Sequence, residues 1–70
     1  MDMQPVESSN VAAVGYDPDT QTLHVEYRNG GRYEYAGVPP DSHAELMASD
    51  SIGRHLHTRI KGVHQHKKLA

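Results

Sequence analysis

The stretch LHVEYRNGGRYEYA, residues 23–36, decides the fold of this chain of 70 residues. Leu23, Val25 and Tyr27 alternate with polar residues, which is typical of a strand with one buried face. The residues Asn29-Gly30-Gly31 come next in the sequence. They predict a turn, because they tolerate the positive φ that tight hairpins require. Residues 32–36 then place Tyr33 and Tyr35 on one face of a second strand. The stretch therefore predicts an antiparallel hairpin.

The flanking residues extend this hairpin into a small α+β domain. Residues 11–16 predict a preceding strand, joined to it by the turn Asp17-Pro18-Asp19-Thr20. After Gly37-Val38-Pro39, a short helix is expected from about Pro40 to Ala48, with Ala44, Met47 and Ala48 in its apolar stripe beside Leu46. Ser49 or Asp50 can cap a second helix, in which Ile52, Leu56 and Ile60 recur every fourth residue.

The predicted architecture is a three-stranded antiparallel meander followed by two short helices packed on one face. We expect residues 1–8 to be a flexible lead-in, residues 9–62 to form the domain, and residues 63–70 to form a basic, histidine-rich tail with partial order at best. Without cysteine, disulfide frameworks and thiolate metal sites are excluded. No apolar run approaches the roughly 18 residues that span a bilayer, so we expect a soluble, cytoplasmic protein without a membrane partner.

The charges are distributed unevenly along the chain. All nine acidic residues lie in the first 50 positions, where only Arg28 and Arg32 oppose them. The last 20 positions contain no acid and carry five basic residues: Arg54, Arg59, Lys61, Lys67 and Lys68. A basic segment next to an acidic body is the pattern expected for a phosphate-binding surface, although it is equally typical of a solvated helix face.

In this order the motifs resemble the KTSC domain, a module of bacteria and phages found at the C-terminus of some lysyl-tRNA synthetases. The resemblance spans about Ser8 to Leu69. It is carried by residues 8–10 (SSN), 15–17 (GYD), 23–27 (LHVEY), 33–35 (YEY), 37–40 (GVPP), 51–54 (SIGR) and 59–60 (RI). The resemblance implies a module of uncharacterised function, with RNA binding suggested by its attachment to a synthetase.

Binding of RNA or another nucleic acid is the sharpest hypothesis for function. The candidate residues are the five basic residues of the last 20 positions, together with Arg28, Arg32, Tyr33 and Tyr35. Aromatic rings can stack on unpaired bases while Lys and Arg contact phosphates. Core packing of Tyr33 and Tyr35 is the competing interpretation, and Glu26 and Glu34 weigh against binding on the sheet.

The alternative function is a protein-docking or self-associating module, because a three-stranded sheet leaves two edges open. We predict no metal site, since residues two apart on a helix point away from each other, as His55 and His57 would, and the His64/His66 pair lies in the tail. No nucleophile motif or phosphate loop occurs, so we expect neither a cofactor nor enzymatic activity.

Overall fold

The structure is a computed structural model that describes residues 3–69. Within these residues, five strands form one antiparallel sheet in the order β1-β2-β3-β4-β5, and two helices lie between β4 and β5 in the chain. The strands are β1 (Gln4–Pro5), β2 (Val11–Asp17), β3 (Thr22–Tyr27), β4 (Arg32–Tyr35) and β5 (His66–Lys68). Helix α1 is Pro40–Ala48, and α2 is Ile52–His55, which continues as a π-helical segment at Leu56–Ile60.

The predicted α+β class, the central meander and the two helices are confirmed, but the prediction of only three strands is wrong. The chain adds a strand at each edge of the meander. Gln4 pairs with Val14 in β2, and His66 pairs with Tyr35 in β4. Neither edge strand has an apolar alternation of its own. Its backbone hydrogen bonds to β2 or to β4 hold it in the sheet.

The two predicted turns form as expected. In the first, the backbone N–H of Asp19 donates to the side chain of Asp17 at 3.0 Å. In the second, the N–H of Tyr27 donates to the carbonyl oxygen of Gly31 at 2.8 Å, and Gly30 has a φ of 94°. That left-handed conformation strains any residue with a side chain, which explains the glycine at position 30.

The core lies between the inner face of the sheet and the helices. Its buried residues are Val11, Val14, Leu23, Val25, Tyr35, Val38, Leu46, Ile52, Leu56 and Ile60. A bulge between Val11 and Ala13 turns both Val11 and Val14 inward, which a regular strand would not do because they are three positions apart. The bulge therefore adds one more valine to the core than a regular alternation allows.

Helix α1 uses a different face from the one predicted. Leu46 is fully buried and Met47 is half-buried, whereas Ala44 and Ala48 are exposed. The ring of His43 stacks on Tyr16 of β2, with centroids 4.4 Å apart, and the Tyr16 hydroxyl donates to the carbonyl oxygen of Val38. These contacts orient α1 so that its largest aliphatic side chain faces the sheet.

The π-helical segment explains how apolar residues spaced four positions apart, Ile52, Leu56 and Ile60, can all face the core. In an α-helix each step of four residues advances a side chain by about 40°, so Ile60 would drift away from the core. A π-helical turn holds more than four residues and rotates the side chain back. The N–H of Lys61 donates to the carbonyl oxygen of Leu56 at 2.8 Å, which closes this wide turn and leaves Ile60 1% exposed.

Candidate functional site

Three adjoining clefts meet at the turn formed by residues 8–10, which precedes β2. The hydroxyl of Ser8 accepts hydrogen bonds from the backbone N–H groups of Asn10 and Val11, both at 3.3 Å. These bonds close a compact turn and project Asn10 at the junction of the clefts. The turn is part of the resemblance described above, and the structure places it against α2.

Arg28, at the end of β3, holds this turn in place. Its Nε–H donates to the carbonyl oxygen of Ser8 at 2.6 Å, and its Nη2 lies 3.4 Å from the carbonyl oxygen of Val6. The backbone N–H of Arg28 also donates to the carbonyl oxygen of Asn10 at 2.8 Å. The guanidinium predicted to bind phosphate is thus already engaged with the backbone of the turn.

Helix α2 lines two of the three clefts, together with the turn. Ser51 caps it, because its hydroxyl accepts a hydrogen bond from the N–H of Arg54 at 3.3 Å, so the predicted caps Ser49 and Asp50 are wrong. A Cβ at Gly53 would lie 3.3 Å from the hydroxyl of Ser8 and 3.9 Å from the amide nitrogen of Asn10. The helix therefore approaches the turn more closely than a larger residue at position 53 would permit.

The π-helical segment also aligns a second row of residues beside the apolar one. Gly53, His57 and Lys61 are four residues apart and line the same cleft with Asn10 and Tyr27. As for Ile60, the wide turn keeps Lys61 on the side of Gly53 instead of letting it rotate away. Two basic side chains from one helix are in this way brought beside a tyrosine from the sheet.

Two of the three clefts share Asn10 and Tyr27, and we call them together the Asn10 surface. Their volumes are about 520 Å³ and 160 Å³. Their lining residues are Ser9, Asn10, Tyr27, Arg28, Asn29, Gly53, Leu56, His57 and Lys61. Among the described residues, no carboxylate lines either cleft. The surface therefore combines basic side chains, amides and an aromatic ring.

The third cleft, which we call the Ser51 cleft, has mixed charge. Its volume is about 500 Å³, and Glu7 and Asp50 line it together with Arg54 and His57. Its carboxylates make it a poorer site for an anion than the Asn10 surface. Of the predicted basic residues, Arg54 belongs to this cleft, whereas Lys61 belongs to the Asn10 surface.

The remaining predicted basic residues lie elsewhere. Arg32 is on the outer face of the sheet, 3.7 Å from the carboxylate of Glu26. Lys67 lines a separate cleft with Glu34, and Lys68 pairs in register with Tyr33 at the edge of the sheet. Arg59 is exposed and lines none of the three clefts around Asn10. The basic segment is continuous in sequence but is divided among several surfaces in space.

The packing of Tyr33 and Tyr35 agrees with the competing interpretation, in which these tyrosines help to fill the core. Tyr35 is fully buried, and its hydroxyl lies 3.1 Å from that of Tyr27, so it cannot offer a ring face to a base. Burial raises the pKa of Tyr35, and the hydrogen bond with Tyr27 raises it further. Tyr33 is half-buried and packs edge-on against Tyr27 at 5.5 Å, so the tyrosine that faces the clefts is Tyr27.

Sequence reasoning missed Asn10, Tyr27, Asn29 and His57 as site residues. The periodicity of β3 assigned Tyr27 to the core, which is half correct, because the ring packs against core residues. One signal was present: Tyr27 and Asn29 directly flank Arg28 at the end of the strand. Side chains at strand ends and turns are often functional, but only the tertiary structure brings Asn10 and His57 to them.

Within residues 3–69, no group of three or more His, Asp or Glu side chains is arranged to hold a metal ion. No helix in the same range is long and apolar enough to cross a membrane.

Comparison with known proteins identifies a family for most of the chain. The family model of the KTSC domain matches residues 7–64. A crystal structure of a KTSC domain protein from Yersinia pestis superimposes with a TM-score of 0.94 at 39% identity, covering 99% of this chain and 97% of that one. An uncharacterised protein of Stutzerimonas stutzeri is 41% identical over 59 residues, which are 84% of this chain and 83% of that protein.

The same region occurs within much longer proteins. A lysine–tRNA ligase of a Nostoc species is 39% identical over 64 residues, which are 91% of this chain but 11% of the ligase. A second lysine–tRNA ligase, from Nostoc punctiforme, is 36% identical over the same length and again matches over 11% of its own.

Proposed function

The chain belongs to the KTSC domain family, and we propose that it is a non-enzymatic module that binds RNA through the Asn10 surface. The observation that carries the proposal is the meeting of basic side chains, amides and a tyrosine in two adjoining clefts without a carboxylate among their described lining residues. His57 and Lys61 reach the surface from one helix, and Tyr27 reaches it from the sheet.

The chemistry of the surface fits a phosphate backbone. Lysine, and histidine when protonated, attract phosphate and release its condensed counterions, which is the main source of affinity in such complexes. Arg28 lines the surface but uses its Nε–H to hold the turn, so it contributes positive charge more than direct contacts. Lys61 is therefore the principal phosphate contact in the proposal.

The relatives support RNA as the ligand. Lysine–tRNA ligases carry a region 36–39% identical to this chain as a small part of their length, and their name states that they act on a tRNA. A surface for RNA would have a clear use in such proteins. In this chain the same surface would bind RNA although the other parts of a ligase are not present in it.

Fluorescence anisotropy of a labelled RNA, titrated with the protein at several salt concentrations, tests the proposal. A site with about two phosphate contacts, from Lys61 and His57, gives a slope of about −1.4 in log K against log salt concentration. Lys61→Ala should weaken binding, whereas Lys67→Ala is the matched control, since Lys67 lies in a different cleft with Glu34. Absence of binding at low salt, or equal losses in the two variants, would contradict the proposal.

Protein docking or self-association is the second candidate function. It is favoured by a groove of about 140 Å³ on the outer face of the sheet, flanked by Met3 and Leu69, which are 37% and 47% exposed. Edge pairing is the less favourable route, because β1 contains Pro5 and β5 carries Lys67 and Lys68. Light scattering after size exclusion tests self-association: a dimer that Leu69→Ser dissociates would favour the outer face.

A further inference from the structure

We infer that the Asn10 surface takes an unpaired RNA nucleotide and not a base-paired segment, an inference that rests on the RNA binding proposed above. Three features of the surface lead to it: the fixed ring of Tyr27, the two side-chain amides, and the carboxylates that line the adjoining Ser51 cleft.

The ring of Tyr27 is held in a defined orientation before any ligand arrives. Its ring lies perpendicular to the ring of Tyr33, with an interplanar angle of 89°, and its hydroxyl lies 3.1 Å from that of the fully buried Tyr35. The part of Tyr27 that is not packed lines both clefts. An aromatic ring in such a cleft can stack on a base that has left its helix, whereas the bases of a duplex are already stacked on one another.

The amides of Asn10 and Asn29 line the larger cleft together with this tyrosine. A carboxamide has both donors and an acceptor, so it can pair with the Watson–Crick edge of a base, which is available only when the base is unpaired. The side-chain oxygen of Asn29 already accepts the N–H of Gly31 at 2.9 Å, which fixes the orientation of its amino group.

The distribution of charges around the surface favours one RNA strand over two. Lys61 and His57 lie on the helix wall of the surface, and the adjoining Ser51 cleft is lined by Glu7 and Asp50. Phosphates of a second strand that extended over that cleft would meet these carboxylates.

The test compares two labelled RNAs by fluorescence anisotropy: a single strand of about 12 nucleotides with no internal pairing, and the same strand annealed to its complement. The single strand should bind at least about tenfold more tightly than the duplex. Asn10→Ala and Tyr27→Leu should lower affinity for the single strand and reduce this preference, while Lys61→Ala should lower affinity for both RNAs. Lys67→Ala is the control variant that should change neither.

The outcomes separate this inference from the proposed function. Equal or tighter binding of the duplex would overturn the inference and leave RNA binding intact. A preference for the single strand that both Asn10→Ala and a folded Tyr27→Leu leave unchanged would also overturn it. Absence of binding to either RNA would overturn the proposed function as well. If circular dichroism shows that Tyr27→Leu does not fold, Asn10→Ala alone decides the role of the clefts.

Discussion

The Nε–H of Arg28 donates a hydrogen bond of 2.6 Å to the carbonyl oxygen of Ser8, which ties the end of β3 to the turn before β2. Arg28, which the sequence suggests as a phosphate ligand, therefore holds the turn that lines the clefts in place. We call this contact between Arg28 and Ser8 the brace. Because hydrogen bonds that involve a charged partner are strong, the exposed Arg28 can still order the segment. The shape of the Asn10 surface depends on this contact between two segments 20 residues apart.

Arg28→Lys should loosen the turn, because an ammonium group cannot reproduce the directed hydrogen bonds of the guanidinium. We expect the free energy of unfolding to fall by about 1 kcal/mol, measured by urea denaturation. Arg32→Lys is the matched control, since the ion pair between Arg32 and Glu26 is solvent-exposed and should change stability by less than about 0.5 kcal/mol. Equal losses in the two variants would show that the brace does not stabilise the fold.

Leu56→Ala should destabilise the domain by about 3 kcal/mol, because Leu56 is 2% exposed at the centre of the apolar row that faces the sheet. Val63→Ala removes apolar volume from a side chain that is 69% exposed and should cost less than about 0.5 kcal/mol. The midpoints of thermal or urea unfolding measure both changes. A small effect of Leu56→Ala would contradict the packing of the π-helical segment on the core.

Gly53→Ala should reduce RNA affinity severalfold without a large loss of stability. The new Cβ would lie 3.3 Å from the hydroxyl of Ser8, which must shift by a few tenths of an ångström and so perturbs the hydrogen bonds that close the turn, although alanine raises helix propensity by up to about 1 kcal/mol. Gly62→Ala is the control, because a Cβ there meets no atom of the described residues within 4 Å. The two variants are compared by anisotropy and by thermal unfolding; unchanged affinity of Gly53→Ala would argue against the clefts as the site.

Alkaline pH should destabilise the protein through Tyr35. Its burial and its hydrogen bond with Tyr27 raise the pKa of this phenol above its ordinary value of 10.0. The folded state therefore keeps the proton more tightly, so the contribution to stability is complete below about pH 10 and is lost as the pH rises above it. Urea unfolding between about pH 9 and 11 should show a smaller decline for Tyr35→Phe, and an identical decline would contradict the assignment.

Acid should weaken the fold through His43. Burial lowers the pKa of this imidazole below its ordinary value of 6.5, so the neutral ring is the form that the fold prefers. The contribution to stability is present above about pH 6.5 and is lost as the pH falls below it. The difference in unfolding free energy between about pH 8 and pH 5 should be smaller in His43→Gln than in the parent chain.

The parts of the fold that could be predicted are those that depend on patterns among neighbouring residues in the sequence. The alternation from Leu23 to Tyr27 and the turn at Asn29-Gly30-Gly31 specify a hairpin, because the period of two decides which side chains face the core. The edge strands could not be predicted, since Gln4–Pro5 and His66–Lys68 carry no such alternation. Their extended conformation depends on backbone bonds to strands formed elsewhere.

The candidate site was only partly predictable for a similar reason. Basic residues clustered in the sequence indicated an anionic ligand, but side chains on one segment can point to opposite sides of a domain. Lys61 faces the Asn10 surface and Lys67 faces a cleft beside Glu34, although they are six positions apart. The sequence pattern placed Tyr27 in the core, because alternation identifies the buried face of a strand. It does not tell how much of each side chain on that face remains exposed.

The sequence by itself determined the α+β class, the central meander, the buried row Ile52-Leu56-Ile60 and the family, because each of these depends on local periodicity, turn chemistry or ordered motifs. Only the tertiary structure decided where the charges and polar groups meet. The brace from Arg28 to Ser8 and the wide turn at Leu56–Ile60 bring Asn10, Tyr27 and Lys61 together. Contacts of that kind arise from packing between distant segments, which no local pattern encodes.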